Sequence, residues 1–141
     1  MRPDDFLVQA GRLAAQSRND AADARTAISR AYYGAYHLVR EFLIGLNFAV
    51  GKDHDLHKPL LATRHASGIK AARFLSQLYE SRRRADYELT NAECERQEVA
   101  QVSVEYADRL KALLLQMQAE PLRSEIVAGL EAYKQLLNRL P

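Results

Sequence analysis

The 141-residue chain has one cysteine, Cys94, so no disulfide can form within it. It has no apolar run approaching the roughly 20 residues that cross a bilayer as a helix. Its opening stretch, MRPDDFLVQAGRL, turns acidic and amphipathic at once, which is not the pattern of a secretory leader. Together these absences fit a cytoplasmic protein away from the membrane. A phosphate-cradling glycine loop, a GxSxG elbow and paired catalytic carboxylates are also missing, which removes the usual signatures of nucleotide hydrolases, serine hydrolases and glycosidases. No histidine follows His65. Strand-like alternation is absent, and the six glycines and four prolines are read as falling between periodic segments or at helix starts.

What remains is helical. Apolar residues make up 48% of the chain, enough for the core of one compact domain spanning residues 1–141. A first helix is expected from Pro3 to Ser17, with Asp4 and Asp5 at the positive end of its dipole and Phe6, Ala10, Leu13 and Ala14 on one face. A second follows the Asn19–Asp20 cap signal and runs to about Leu46. A third starts near Leu56, breaks or kinks at Ser67–Gly68 and resumes to the arginine run at 82–84. TNAE, Thr90 to Glu93, has capping-box spacing and opens a fourth helix with the stripe Val99, Val102, Tyr106, Leu110, Leu113 and Met117. Pro121 opens a fifth, with Ile126, Leu130, Tyr133, Leu137 and Leu140 on one side. Short loops between one-sided helices predict an all-α, antiparallel up-down bundle of about five helices.

Charge divides unevenly along the chain. Lys52 to Arg84 holds eight basic residues against three acids, net +5; Ala85 to Glu120 holds three against eight, net −5. The split either builds a basic face for a polyanion or lets the two segments pair within the domain.

Three stretches could carry chemistry. In the second helix, Arg30, Tyr33, His37 and Glu41 recur at spacings of three and four and share a face, while Tyr32, Tyr36, Val39 and Leu43 form the neighbouring core face. The first set reads as a buried polar network or as the wall of a polar cleft. In SRRRADYEL, Ser81 to Leu89, a persisting helix lets Arg82 pair with Asp86, and an arginine so held keeps donors for a phosphate. Three arginines beside a tyrosine also suit a nucleic-acid backbone, although arginines commonly end helices as solvated charge. The third stretch, KDHDLHK, offers Asp53, His54, Asp55 and His57, but no further cluster completes a metal site, so none is assigned. Cys94 has no pattern of a nucleophile or ligand.

ARTAISRAYYGAYH (Ala24 to His37) in a second helix, followed by RRRADYEL at the end of a third, resembles the bacterial and archaeal HEPN superfamily. More narrowly it is similar to small stand-alone HEPN proteins with an RxxADY signature, here Arg82, Ala85, Asp86 and Tyr87. The likeness spans about residues 4–117, and the last helix, 121–140, is additional. The resemblance implies a helical bundle, usually a homodimer. Many such proteins are metal-independent ribonucleases, with an arginine and, after four to six intervening residues, a histidine at the dimer cleft. Many are encoded beside a minimal nucleotidyltransferase in toxin–antitoxin pairs. His57 corresponds to a loop histidine of that group.

The chain departs from this pattern at one place. After Arg82 four residues intervene and then comes Tyr87, where a ribonuclease has histidine. A phenol with a pKa near 10 is a poor base at neutral pH. His37 is then the one histidine with a route to the cleft. The expectation is therefore an RNA- or nucleotide-binding interaction module that partners a minimal nucleotidyltransferase. Arg30, Tyr33, Arg83, Arg84 and His57 are its binding candidates, and no cofactor is needed. The first alternative is a ribonuclease toxin in which Arg82 holds the phosphate, Asp86 orients it, and His37 or Tyr87 moves protons. The second is a helical dimerisation module. In the first reading Arg82, Asp86 and Tyr87 turn inward, with Arg83 or Arg84 toward solvent. A continuous helix would set Tyr87 about 140° around from Arg82, so the helix must end, bend or present its edge there.

Overall fold

The computed structural model describes residues 1–51 and 55–140. Among these there are six α-helices, one 3-10 turn and no strand. The helices are α1 (Pro3–Ala15), α2 (Ala21–Gly45), α3 (His57–Ala62), α4 (Ala66–Tyr87), α5 (Gln97–Gln118) and α6 (Leu122–Asn138); the 3-10 turn, Ala92–Glu95, lies between α4 and α5. None of these helices is long and apolar enough to cross a membrane.

Helix starts follow local chemistry. Asp5 Oδ2 accepts the Arg2 N–H (2.8 Å) at the head of α1, and Asp20 Oδ1 accepts the Asp23 N–H (3.0 Å) at the head of α2. Two starts differ from expectation. The TNAE capping box does not form. Asn91 caps instead, accepting the Glu93 N–H (3.2 Å), and the chain makes one 3-10 turn before α5 begins at Gln97. The expected third helix is two helices, and its break lies at Thr63–His65 rather than at Ser67–Gly68. Thr63 Oγ1 bonds back to the Leu60 carbonyl (2.7 Å), Arg64 takes a left-handed φ of 56°, and His65 Nδ1 caps α4 by accepting the Ser67 N–H (3.1 Å). Gly68 sits inside α4 because the turn presses on it. A Cβ there would run into Thr63 Oγ1 and lie 2.7 Å from the Leu60 carbonyl oxygen. Gly34 is likewise inside α2, where a Cβ would lie 2.5 Å from Leu7 Cδ2 of α1. Both glycines permit close approach and do not interrupt a helix.

Helices α1, α2, α4 and α5 form an up-down bundle. Gln97, at the head of α5, bonds the Ala14 and Ala15 carbonyls at the tail of α1, and Lys111 meets Asp4 near its head (2.8 Å), so the two run antiparallel. Arg25 near the start of α2 reaches the end of α4 in the same sense. Among the described residues, α1 and α4 both pack on α2 and α5 but not on each other, so they flank α2 on opposite sides. Tyr32, Val39, Leu43, Leu60, Leu78, Leu110, Met117 and Ile126 are fully buried. A second, smaller cluster is built mainly from Ala14, Ala24, Ala27, Ile28, Ala85 and Ala100. These alanines bring the helices close together. The buried stripe of α5 is accordingly Ala100, Ser103, Ala107, Leu110, Leu114 and Met117, and the expected Val102 is exposed. Helix α6 buries Ile126 and Leu130, while Leu137 and Leu140 of its expected inner stripe are exposed.

Candidate functional site

The outer face of α2, between α1 and the end of α4, gathers the residues singled out from sequence. Its centre is Arg82. That side chain is 7% exposed although it lies in the last two turns of α4. Its guanidinium carbon stands 5.2 Å from the ring centre of Tyr32, 5.5 Å from Tyr33, 5.3 Å from Tyr79 and 5.8 Å from Tyr87. Cation–ring contacts of this kind are worth about 0.5–2 kcal/mol each, more where water is excluded. Asp86, one turn on, approaches Arg82 Nη1 at 3.6 Å and also accepts from Ser29 Oγ of α2 (3.3 Å). Arg82 Nε is buried and has no hydrogen-bond partner.

Burial alone would lower the arginine's pKa. Tyr33, a hydrogen bond with Tyr87, Asp86 and Tyr32 outweigh it, and the guanidinium is held above its ordinary value. The same burial pushes the Tyr32 phenol well above the usual tyrosine range, with Arg82 pulling the other way, so Tyr32 stays neutral.

Tyr87 reaches Arg82 because α4 stops there: Tyr87 is its last residue, and Glu88 leaves the helical conformation (φ −104°, ψ 77°). The inward orientation expected for all three signature residues holds only for Arg82. Tyr87 is 72% exposed and Asp86 is also exposed; both form the rim. Arg83 and Arg84 face solvent, and Arg83 pairs with Glu80 (3.4 Å) and Glu88 (3.6 Å). Arg82–Asp86 and Arg83–Glu88 also join the basic and acidic segments of the chain at their junction.

The four-residue face of α2 divides. Tyr33 leans toward Arg82. Arg30 and His37 lean the other way, onto Phe6 of α1: the Arg30 guanidinium carbon is 5.8 Å from the Phe6 ring centre, and His37 stacks on that ring at 5.4 Å. His37 also meets Tyr36 edge-on at 5.1 Å. Arg30 Nε, like Arg82 Nε, is buried without a partner. Glu41 is exposed. His57 stands apart at the head of α3, where its Nδ1 meets Asp55 at 2.6 Å, and Lys58 meets the same carboxylate at 2.9 Å. Asp53 and His54 lie outside the described residues. Among the described residues, no group of three or more His, Cys, Asp or Glu side chains could hold a metal ion. Cys94 is buried at the 3-10 turn, and burial pushes its thiol up, away from the reactive thiolate.

One residue of this region was not marked by its sequence. Arg25 crosses from α2 to the end of α4. Its guanidinium donates to the carbonyls of Ala85 (2.8 Å), Glu88 (3.1 Å), Leu89 (3.1 Å) and Asn91 (3.1 Å), and twice to Glu95 Oε2 (3.1 and 2.8 Å). It satisfies the carbonyls that end α4 and fixes the turn leaving Tyr87. The available signal was its place on the buried stripe of α2, three and seven residues before Ile28 and Tyr32. No protein-family model, curated protein or solved structure matches the chain.

Proposed function

We propose that the protein binds the phosphodiester backbone of single-stranded RNA, or a nucleotide, through the groove at Arg82, and that it acts as a HEPN-like partner of a minimal nucleotidyltransferase in a toxin–antitoxin-like pair. The observation that carries the RNA reading is the state of Arg82: a guanidinium held by aromatic faces, paired with one carboxylate at 3.6 Å, and keeping a buried, unpartnered Nε. Arginine's planar fork suits a phosphate oxygen, and a fixed fork loses little freedom on binding one. Tyr33 and the exposed Tyr87 offer ring faces for bases. Arg30, Arg83 and Arg84 add charge around the groove. Asp86 holds Arg82 in register. Because Arg82 is buried, a phosphate reaches it by taking the place of the Tyr87 hydroxyl. The partnership with a nucleotidyltransferase rests on the RxxADY resemblance alone.

A metal-independent ribonuclease remains the runner-up because Arg82 could also stabilise a transition state's charge. It lacks an evident base at the same place. His37 is engaged by Phe6 and Tyr36 on the α1 side, and Tyr87 carries a phenol rather than an imidazole.

The test is fluorescence anisotropy of a labelled mixed-sequence single-stranded RNA, with cleavage of the same RNA followed in EDTA. Wild type should bind without cutting. Arg82→Lys keeps the charge and loses the fork, and should weaken binding by about tenfold, the order of one charge-assisted hydrogen bond. Wild-type binding that is absent, or unchanged in folded Arg82→Lys, would overturn the RNA reading. Cleavage lost in the same variant would replace it with the ribonuclease reading. Failure to co-purify with a minimal nucleotidyltransferase from the same genome would remove the partnership alone.

A further inference from the structure

Among the described residues, two buried side-chain nitrogen or oxygen atoms lack a hydrogen-bond partner, and both are arginine Nε atoms, those of Arg82 and Arg30. They border the same outer face of α2 from opposite sides. Arg82 comes from α4 and lies over the Tyr33 ring at 5.5 Å, while Arg30 leans to the α1 side and lies over the Phe6 ring at 5.8 Å. Tyr33, which Arg82 touches, is three residues after Arg30, so the two cations stand within about one turn of the same level on α2. The two sites are built alike. Each guanidinium rests on an aromatic face, which supports its charge, and each keeps a buried Nε–H unpaired, which costs the folded state free energy. Asp86 approaches Arg82 at 3.6 Å, whereas among the described residues Arg30 forms no ion pair.

We infer that Arg30 is a second phosphate subsite, and that the site takes two successive phosphates of one strand, which crosses α2 from Arg82 to Arg30 with Tyr33 beneath the nucleoside between them. The inference rests on the RNA reading above and narrows it, because it sets the least ligand that fills the site. Helices pack with their axes about 8–10 Å apart, so the seams on the two sides of α2 are separated by about that distance. One phosphate cannot touch both cations. The directly linked phosphates of a nucleoside diphosphate lie too close together to do so. Two phosphates held apart by a ribose can, and a nucleoside phosphorylated on both its 3′ and its 5′ oxygen is the smallest such ligand. Each phosphate meets a guanidinium whose ring contact has already fixed its plane, so little freedom is lost at either end.

The test is isothermal titration of the wild-type protein with three probes: adenosine 5′-monophosphate, adenosine 5′-diphosphate and adenosine 3′,5′-bisphosphate. The bisphosphate should bind at least about tenfold tighter than the diphosphate, which has as many phosphates but holds them together; that factor is the order of one charge-assisted hydrogen bond. Arg30→Gln, shown to be folded by circular dichroism, should abolish this advantage and leave the affinity for the monophosphate within about twofold of wild type, since the Arg82 subsite remains. A bisphosphate that binds no tighter than the diphosphate would overturn the second subsite with no variant needed, and so would an advantage that survives in Arg30→Gln. Either result leaves the Arg82 reading standing, because that reading is tested by Arg82→Lys on RNA. Absence of binding by all three probes and by RNA would overturn both.

Discussion

Two arginines grip the end of α4 from different sides, and they are used in opposite ways. Arg25 makes six hydrogen bonds, four to backbone carbonyls and two to Glu95. Its donors are spent on the protein. Arg82 is more buried but is held mainly by ring faces and one carboxylate at 3.6 Å, and its Nε has no partner. A buried cation is costly unless its hydrogen-bonding capacity is met. In Arg25 that condition is satisfied and the result is stability. In Arg82 it is met incompletely, by polarisable rings that support charge and by a hydrogen bond with the Tyr87 hydroxyl, which leave the Nε–H unpaired. The contrast separates a structural clamp from a cation whose hydrogen bonds are not all met, and the proposed function assigns the second to an outside anion.

The largest effect should come from breaking the clamp. Arg25→Ala strands several carbonyls at the end of α4 together with Glu95, and should cost about 3 kcal/mol in urea unfolding, the range for removing one partner of a buried, hydrogen-bonded pair. Arg25→Lys should cost nearly as much, because one ammonium cannot span those carbonyls. An unfolding midpoint that barely moves would mean the carbonyls are solvated and the clamp is idle. Next comes Arg82→Ala. Loss of the ring contacts should cost about 1–2 kcal/mol of stability. The same change should weaken RNA binding by more than tenfold and lower the slope of log affinity against log salt by about 0.7, one phosphate contact to a single strand. If Arg25 variants, at temperatures where they remain folded, lost RNA binding as Arg82 variants do, the division of labour between the two would fail.

Much of the frame was legible from periodicity, because helix faces repeat every 3.6 residues whatever they pack against. The core face of Tyr32, Tyr36, Val39 and Leu43 is buried as expected. Where periodicity misled, the cause was a packing contact that apolar spacing does not record. Gly68 looks like a helix break, yet its missing side chain makes room for Thr63 and the helix runs through it. The α5 stripe was read from its largest apolar residues, but the alanine-rich packing at that end selects Ala100, Ser103 and Ala107 instead. The candidate site was half legible. Spacing allowed the Arg82–Asp86 pair, but gave no means of seeing that Arg30 and His37 lean to Phe6 while Tyr33 leans to Arg82. Arg25 escaped notice because its partners lie 60 to 70 residues away and most are backbone carbonyls, which have no sequence identity.

Smaller effects sharpen the contrast at the rim. Tyr87 is 72% exposed, so Tyr87→Ala should change stability by less than about 0.5 kcal/mol. It should nevertheless weaken RNA binding by about tenfold, since stacking one base is worth about 1–3 kcal/mol by alanine substitution. Tyr87→Phe keeps the ring and removes only the hydroxyl bonded to Arg82, and anisotropy should find its affinity within about threefold of wild type, because a phosphate would displace that hydroxyl in any case.

The smallest expected effect is at His37, and it discriminates most finely between the two readings of the site. The imidazole is engaged with Phe6 and Tyr36 rather than with the arginine cage. His37→Gln should therefore leave RNA affinity within about twofold of wild type, as expected for a side chain outside the contact set. A binding groove predicts no other consequence. A ribonuclease predicts that the same variant binds RNA as before and loses cleavage by two orders of magnitude or more, roughly what a positioned general acid or base supplies. Affinity and cleavage measured together on His37→Gln thus decide whether the cation at Arg82 holds RNA or helps to cut it.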